Sequence, residues 1–225
     1  MTAPMDAIPP DDLTLDELRE ALAPLLAGHA AFDGWSPKAL EMAAAELGVP
    51  AERARVAMPG GAVAMIDAWF DSIDRAMLLA FPPDVIAAMK VRDRIRELIL
   101  FRFEMIRSSK EALRRALAIL AMPQNVAAAG RLAWRGADRI WRLAGDTATD
   151  YNHYTKRAIL LGVYGSTSLV FLDDETDDLA TTSAFLDRRL AGVMRFEKVK
   201  AQWLGRANQR PSLSRFLGRL RYPAR

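Results

Sequence analysis

The chain has 225 residues, 51% of them hydrophobic and 26% charged, which is enough apolar material for a core and excludes a compositionally disordered chain. It contains no cysteine, which rules out a disulfide framework, a thiolate nucleophile and a cysteine-held metal and fits a reducing cytosol. The net charge of +3 is uneven: residues 206–225 hold six arginines and no acid, so residues 1–205 sum to −3, whereas a DNA-binding domain concentrates positive charge on its reading face.

Residues 1–12 read as a flexible arm with neither the basic nor the apolar region of a secretion signal. Thr14 and Glu17 form a capping-box pattern, so a helix is expected from Leu15 to near Gly28. Ser36 and Pro37 are an N-cap and first-turn pair for the next helix, and Gly48 is its stop. A tight turn and the short segment AERARVA then complete a helix-turn-helix-like unit over residues 13–61. That last helix offers Arg53 and Arg55 but no Asn, Gln, Ser or Thr to read bases. A structural cap is the expected role of the unit, with DNA binding as the alternative.

Longer helices are expected over about 62–81, 84–107 (ended by a Ser108–Glu111 capping box opening the next), 110–121, 126–145, 150–172 and 179–200, with Asp177 as the last N-cap. No strand alternation and no repeat is visible. The fold class is therefore all-α, with residues 62–205 as the main helical domain. The longest apolar run, residues 158–172, is shorter than the roughly 20 residues a membrane span needs. It is apolar on nearly every face, which predicts a buried helix. Its small residues Gly162, Gly165, Ser166, Thr167 and Ser168 permit close packing or leave room for a ligand.

Catalytic signatures are scarce. There are two histidines, His29 and His153, far short of a bundle di-iron set, and no nucleophile elbow or phosphate loop is present. No catalytic residue and no metal site is assigned, and the chain is not expected to be an enzyme. In the tail, Leu213, Phe216, Leu217 and Leu220 fall at i, i+3, i+4 and i+7, with Arg215 and Arg219 on other faces. That is the pattern of an amphipathic helix lying on an anionic membrane surface.

The helical order resembles a TetR-type regulator. More narrowly, GWSPKALEMAAAELGV (34–49), RALAILAMPQN (115–125), WRLAGDTATDYNHYTKRAIL (141–160) and TTSAFLDRRL (181–190) resemble the coenzyme Q biosynthesis protein nine family. The resemblance runs over about residues 14–205, and its most specific part is AGD followed by TDYNHYTKRA. It implies a TetR-like helical bundle that has given up DNA regulation, binds isoprenoid or quinone lipid and associates with membranes. It further implies presentation of ubiquinone intermediates to a di-iron demethoxyubiquinone hydroxylase or an equivalent hydroxylase. No cofactor is expected beyond a bound isoprenoid lipid or phospholipid.

On this reading Phe101, Met105, Leu161, Val163, Tyr164 and Leu169 are candidates to line a long apolar cavity, any of which could be plain core. Asp138, Ile140, Trp141, His153, Tyr154 and Arg157 map to the family's partner patch, an interface-like mixture of aromatics, arginine and acids. The family pattern commonly has Trp where this chain has His153, which implies either a different partner patch or a different hydroxylase as partner. A homodimer and a cytoplasmic location, peripheral on the inner membrane, are expected, without specific nucleic-acid binding. The alternative is a TetR-type transcriptional regulator with an apolar effector. Deleting residues 210–225 is expected to abolish co-sedimentation with anionic liposomes while leaving the helical circular dichroism in place; undiminished binding would remove the tail from any membrane role.

Overall fold

The computed structural model describes residue 9 and residues 12–149 and 151–208, with the side chains of 151, 194 and 196–208 excepted. The tail candidates Leu213, Arg215, Phe216, Leu217, Arg219 and Leu220 lie outside the described residues. Ten α-helices and no strand occur among those described. Residues 1–186 form one compact unit and residues 187–225 a second.

The first helix, α1 (Leu15–Asp33), opens on the expected capping box: Glu17 donates its backbone N–H to Thr14 Oγ1 at 3.3 Å, and Thr14 N donates to the Glu17 carboxylate at 2.8 Å. It overruns Gly28 because Ala27 and Ala30 continue its buried face. It stops at Gly34, whose φ of 71° suits a residue without Cβ. Next come α2 (Pro37–Leu47), capped by Ser36, and α3 (Ala51–Ala57). The Trp35 indole fixes this three-helix unit to the rest, donating to the carbonyl of Ala112 at 3.0 Å while its ring lies 5.3 Å from that of Trp69.

Helix α4 (Gly61–Ala80) is followed by α5 (Pro83–Ala87) and α6 (Val91–Ile106). The single helix expected over 84–107 is thus two. The break is stabilised by Arg94, which donates to the carbonyls of Ala87 at 3.0 Å, Met89 at 2.8 Å and Ala144 at 2.9 Å. Backbone acceptors freed by the break therefore find a charged donor.

Helix α7 (Lys110–Leu120) lacks the expected box. Residues 107–109 form a 3₁₀ turn, and Glu111 instead pairs with Arg114 and Arg115 at 2.9 and 3.0 Å. Then follow α8 (Val126–Leu143), α9 (Tyr151–Leu172) and α10 (Ala180–Asn208). Among the described residues no helix is long and apolar enough to cross a membrane. The expectation of a fully buried α9 is corrected: Ala158, Gly162, Gly165 and Leu169 form an exposed stripe, Leu169 being 63% exposed. An all-apolar composition does not set burial when several of the residues are too small to demand it.

Helices α4, α6 and α8 are joined by charge. Asp67, Asp71 and Asp74 lie on one face of α4 at helical spacing. Asp67 pairs with Arg135, Asp71 with Arg139 at 2.5 Å, and Asp74 with both Arg139 at 2.7 Å and Arg102. Asp74 is 1% exposed and Arg102 4%. The entry to α10 is held by a second buried carboxylate. Asp174 accepts from Thr182 N at 2.7 Å, Thr182 Oγ1 at 2.6 Å, Thr176 N at 3.0 Å and Thr176 Oγ1 at 2.5 Å, while Thr176 Oγ1 accepts from Ala180 N at 2.8 Å. The expected cap at Asp177 is therefore replaced by the Asp174–Thr176 pair.

Burial alone would raise the Asp174 carboxyl, but the hydroxyls and backbone N–H groups of Thr176 and Thr182 outweigh it and hold the group well below the usual carboxylate range. A depressed native value gives stability that is present above the unfolded value of about 4 and is lost as pH falls towards the native one. Asp174→Asn is therefore expected to be less stable than the parent at pH 7 and to show a shallower further loss between pH 4 and pH 2. Urea melts across that window check it.

Candidate functional site

Two features lie on the shared ground of α8 and α9: a polar corner where the helices join and an apolar cavity between them. The corner starts from the end of α8. Gly145, with φ of 92°, turns the chain, and Asp146 N donates back to the Trp141 carbonyl at 2.9 Å. Loop residues 146–149 then lead into α9. Arg157, 1% exposed, reaches back and donates to Asp138 at 2.7 Å, to Asp146 at 3.0 Å and to the carbonyl of His153 at 3.0 Å. Lys156 donates to Asp146 at 2.6 Å and sits 5.4 Å from the centre of the Trp141 ring, whose Nε1 donates to the Lys156 carbonyl at 3.0 Å. Burial would raise the Asp146 carboxyl, but the bonds from Lys156 and Arg157 outweigh it and hold the group low.

Outside this ionic knot lies an aromatic group. His153 Nδ1 bonds the Ala148 carbonyl at 3.0 Å. The rings of Trp134 and Tyr154 are 5.9 Å apart, and those of His153 and Tyr154 5.1 Å. Tyr154 is 61% exposed. A shallow recess of about 390 Å³ opens beside it, lined by Arg142, Asp146, the 147–149 loop, His153, Tyr154 and Arg157.

Five of the six residues expected at a partner patch are thus assembled at this corner. Asp138 and Arg157 serve as its internal ion pair, while Trp141, His153 and Tyr154 reach its surface. Ile140 is the exception. It is 2% exposed and its side chain lines the apolar cavity, so it is corrected from surface to interior. The structure adds Trp134, Asp146 and Lys156. Trp134 shares a helix face with Asp138 and Trp141 through i, i+4 and i+7 spacing, a signal readable in the sequence. Asp146 follows the helix stop and carries no such signal.

The cavity has a volume of about 470 Å³, within the range of about 300–1,000 Å³ usual for small-molecule sites. Its walls come from α4 (Phe70), α6 (Arg102), α7 (Leu113, Leu117, Leu120), α8 and α9. On the α8 side Ala129, Ala133, Gly136 and Ala137 recur at helical spacing, and on the α9 side Leu161, Gly165 and Leu169 do. The alanines and glycines among them keep the two helices from filling the space between them. Of the six expected lining residues, Leu161, Tyr164 and Leu169 face the cavity. The other three do not line it: Val163 is buried, Phe101 packs edge-on against Phe81 at 5.5 Å, and Met105 is 47% exposed. Helical phase separates the two sets, since Val163 and Met105 point away from the α8–α9 seam. Among the described residues no group of three or more His, Asp or Glu side chains converges as a metal site would require.

Comparison with known proteins places this segment. Residues 126–197, which comprise α8, α9 and most of the first turns of α10, match the COQ9 family. The rat mitochondrial ubiquinone biosynthesis protein COQ9 is 39% identical over 100 residues, which cover 44% of this chain and 32% of the rat protein. The human counterpart is 36% identical over 100 residues, covering 44% and 31%. A probable coq9 protein of Dictyostelium discoideum is 22% identical over 173 residues, covering 74% of this chain and 56% of its own length. The chain thus spans about a third of the rat and human proteins. Among solved structures, a TetR transcriptional regulator from Nitrosomonas europaea superposes with a TM-score of 0.63 at 22% identity, covering 78% of this chain and 97% of that one, a likeness of fold.

Arg157→Met should destabilise the unit by about 3–5 kcal/mol, because it leaves Asp146 buried with only Lys156 to pair it; equilibrium urea unfolding reads this, and a loss below about 1 kcal/mol would mean the knot is solvated. On its sequence the chain resembles the COQ9 proteins, through the very helices that build the corner and the cavity, and it carries that resemblance on a TetR-like all-α fold.

Proposed function

We propose that this chain is a lipid-binding accessory protein of ubiquinone biosynthesis, which holds an isoprenoid or quinone intermediate and presents it to a demethoxyubiquinone-type hydroxylase. The observation that carries the reading is the cavity of about 470 Å³ walled by leucines and small residues between α7, α8 and α9, whose α8 and α9 walls belong to the segment that matches COQ9. Such a space favours an apolar ligand because it removes hydrocarbon from water, at about 25 cal/mol per Å². The chain's part is binding and presentation, with the chemistry left to the partner.

The corner supports the second half of the reading. Tyr154, His153 and Trp134 form an aromatic surface backed by a rigid ionic knot. Exposed aromatics on a fixed base are what interface hot spots are built from. The same two helices carry cavity and corner, so a bound molecule and a docked hydroxylase would meet on one element pair. The amphipathic tail would keep the protein at the membrane from which such a lipid comes, on a cytoplasmic surface, and a homodimer would be its assembled form.

The α3 face speaks against the regulator reading. Arg55 is bound to Glu41 at 2.6 Å and Glu52 at 3.4 Å, and Arg53 donates to the Leu13 carbonyl. A phosphate would have to displace these partners.

Mass spectrometry of organic extracts of the purified protein is expected to find isoprenoid or phospholipid. Tyr154→Ala is expected to weaken capture of the hydroxylase at least about tenfold with the melting temperature held. Lipid-free protein that binds a specific genomic DNA site in a gel shift would reverse the choice.

A further inference from the structure

The cavity is not apolar throughout. Its deep wall carries Arg102, 4% exposed, whose guanidinium reaches across from α6 to α8 and α9. Two of its nitrogens are occupied: Nη1 pairs with Asp74, and Nε donates to the Tyr164 hydroxyl oxygen at 3.2 Å. Asp74 divides its two oxygens between Arg102 and Arg139, so the carboxylate does not take up the whole guanidinium. The third nitrogen, Nη2, lies beside Gly136, where a Cβ would stand 3.8 Å from it, and it meets no acceptor among the described residues. The Tyr164 hydroxyl already accepts from Arg102, so its own proton is directed elsewhere, and it too meets no described acceptor. The Tyr164 ring is held in place by stacking on Phe103, with centroids 5.2 Å apart and planes at 10°. Both residues line the cavity.

A buried donor without an acceptor is costly, and more so when charged. Arg102 Nη2 and the half-buried Tyr164 hydroxyl, donors on fixed side chains that line an otherwise apolar cavity, match one complementary group: an oxygen that only accepts. We propose that Arg102 and Tyr164 are a polar anchor for an acceptor oxygen on the head of the bound molecule. The ligand is then an amphipathic compound with a carbonyl or carboxylate oxygen at the end of an apolar body, and a plain hydrocarbon tail lacks the group this wall is built to take. The proposal rests on the reading of the cavity as a lipid site and specifies its orientation: head inward against α6, apolar body towards the Ala133 and Leu169 mouth, where both residues are exposed.

The test uses the full-length protein and displacement of an apolar fluorophore by three probes of matched length: a decyl-substituted benzoquinone, decanoate, and decylbenzene as the oxygen-free counterpart. The quinone or the carboxylate should displace the fluorophore about tenfold more strongly than decylbenzene, and whichever of the two wins identifies the head group. Tyr164→Phe keeps the ring and its stack, and Arg102→Lys keeps a charge for Asp74. Each should cost the oxygenated probe about three- to tenfold in affinity and leave decylbenzene unchanged. Equal binding of all three probes to the parent protein, or a preference that survives in Tyr164→Phe, overturns the anchor while leaving the cavity a lipid site. Failure of every probe to displace the fluorophore overturns both. Should Arg102→Lys fold poorly, Tyr164→Phe alone decides.

Discussion

Asp74 is the point on which the helical body depends. A carboxylate that is 1% exposed survives only because two guanidinium groups, Arg102 from α6 and Arg139 from α8, converge on it. Asp71 and Asp67 extend the same row outwards to Arg139 and Arg135. Three helices distant in sequence are thereby held in one register by directional, charge-assisted bonds, where apolar packing alone would accept several registers. The arrangement fixes the azimuth of α8, and with it which α8 residues face α9. Ala129, Ala133 and Gly136 meet the seam, and Trp134, Asp138 and Trp141 meet the corner. Cavity and corner are two faces of a helix whose rotation has been set elsewhere.

Most of the helical framework is legible in the sequence because its signals are local. The Thr14–Glu17 box, the Ser36–Pro37 start and the Gly48 stop all act within one turn and all stand in the structure. Signals that depend on distant partners are not legible. The break between α5 and α6 is set by Arg94 reaching the carbonyl of Ala144, 50 residues away. The Ser108 pattern looks like a cap but loses to Glu111 pairing with Arg114 and Arg115. Gly28 resembles a stop, yet α1 continues because the alanines around it are wanted on the buried face.

The candidate site divides in the same way. The corner is contiguous in sequence, 134–157, so residue types and helical phase place most of it in advance. Ile140 is the instructive exception: a single residue step of about 100° round α8 separates it from Trp141 and carries it from the corner to the cavity, and only the rotation of α8 decides which. The cavity is non-local. Its α7 leucines and Phe70 of α4 meet α9 only through the fold. Arg102 could not be identified from its neighbours, because a lone arginine in LFRFEM reads as solvated until Asp74 is found beside it.

The strip of Ala129, Ala133, Gly136 and Ala137 along α8 has a further consequence. Alanine and glycine have no side-chain rotamers, so this stretch of the cavity has almost nothing to freeze when a guest enters and almost nothing to move aside when one does not fit. Its shape is that of one helical backbone, which is held by hydrogen bonds within the helix. Adaptation must then come from the leucines of α7 opposite. One side of the chamber acts as a rigid template and the other as a compliant cushion, so guests should differ more readily in bulk towards α7 than in thickness against α8.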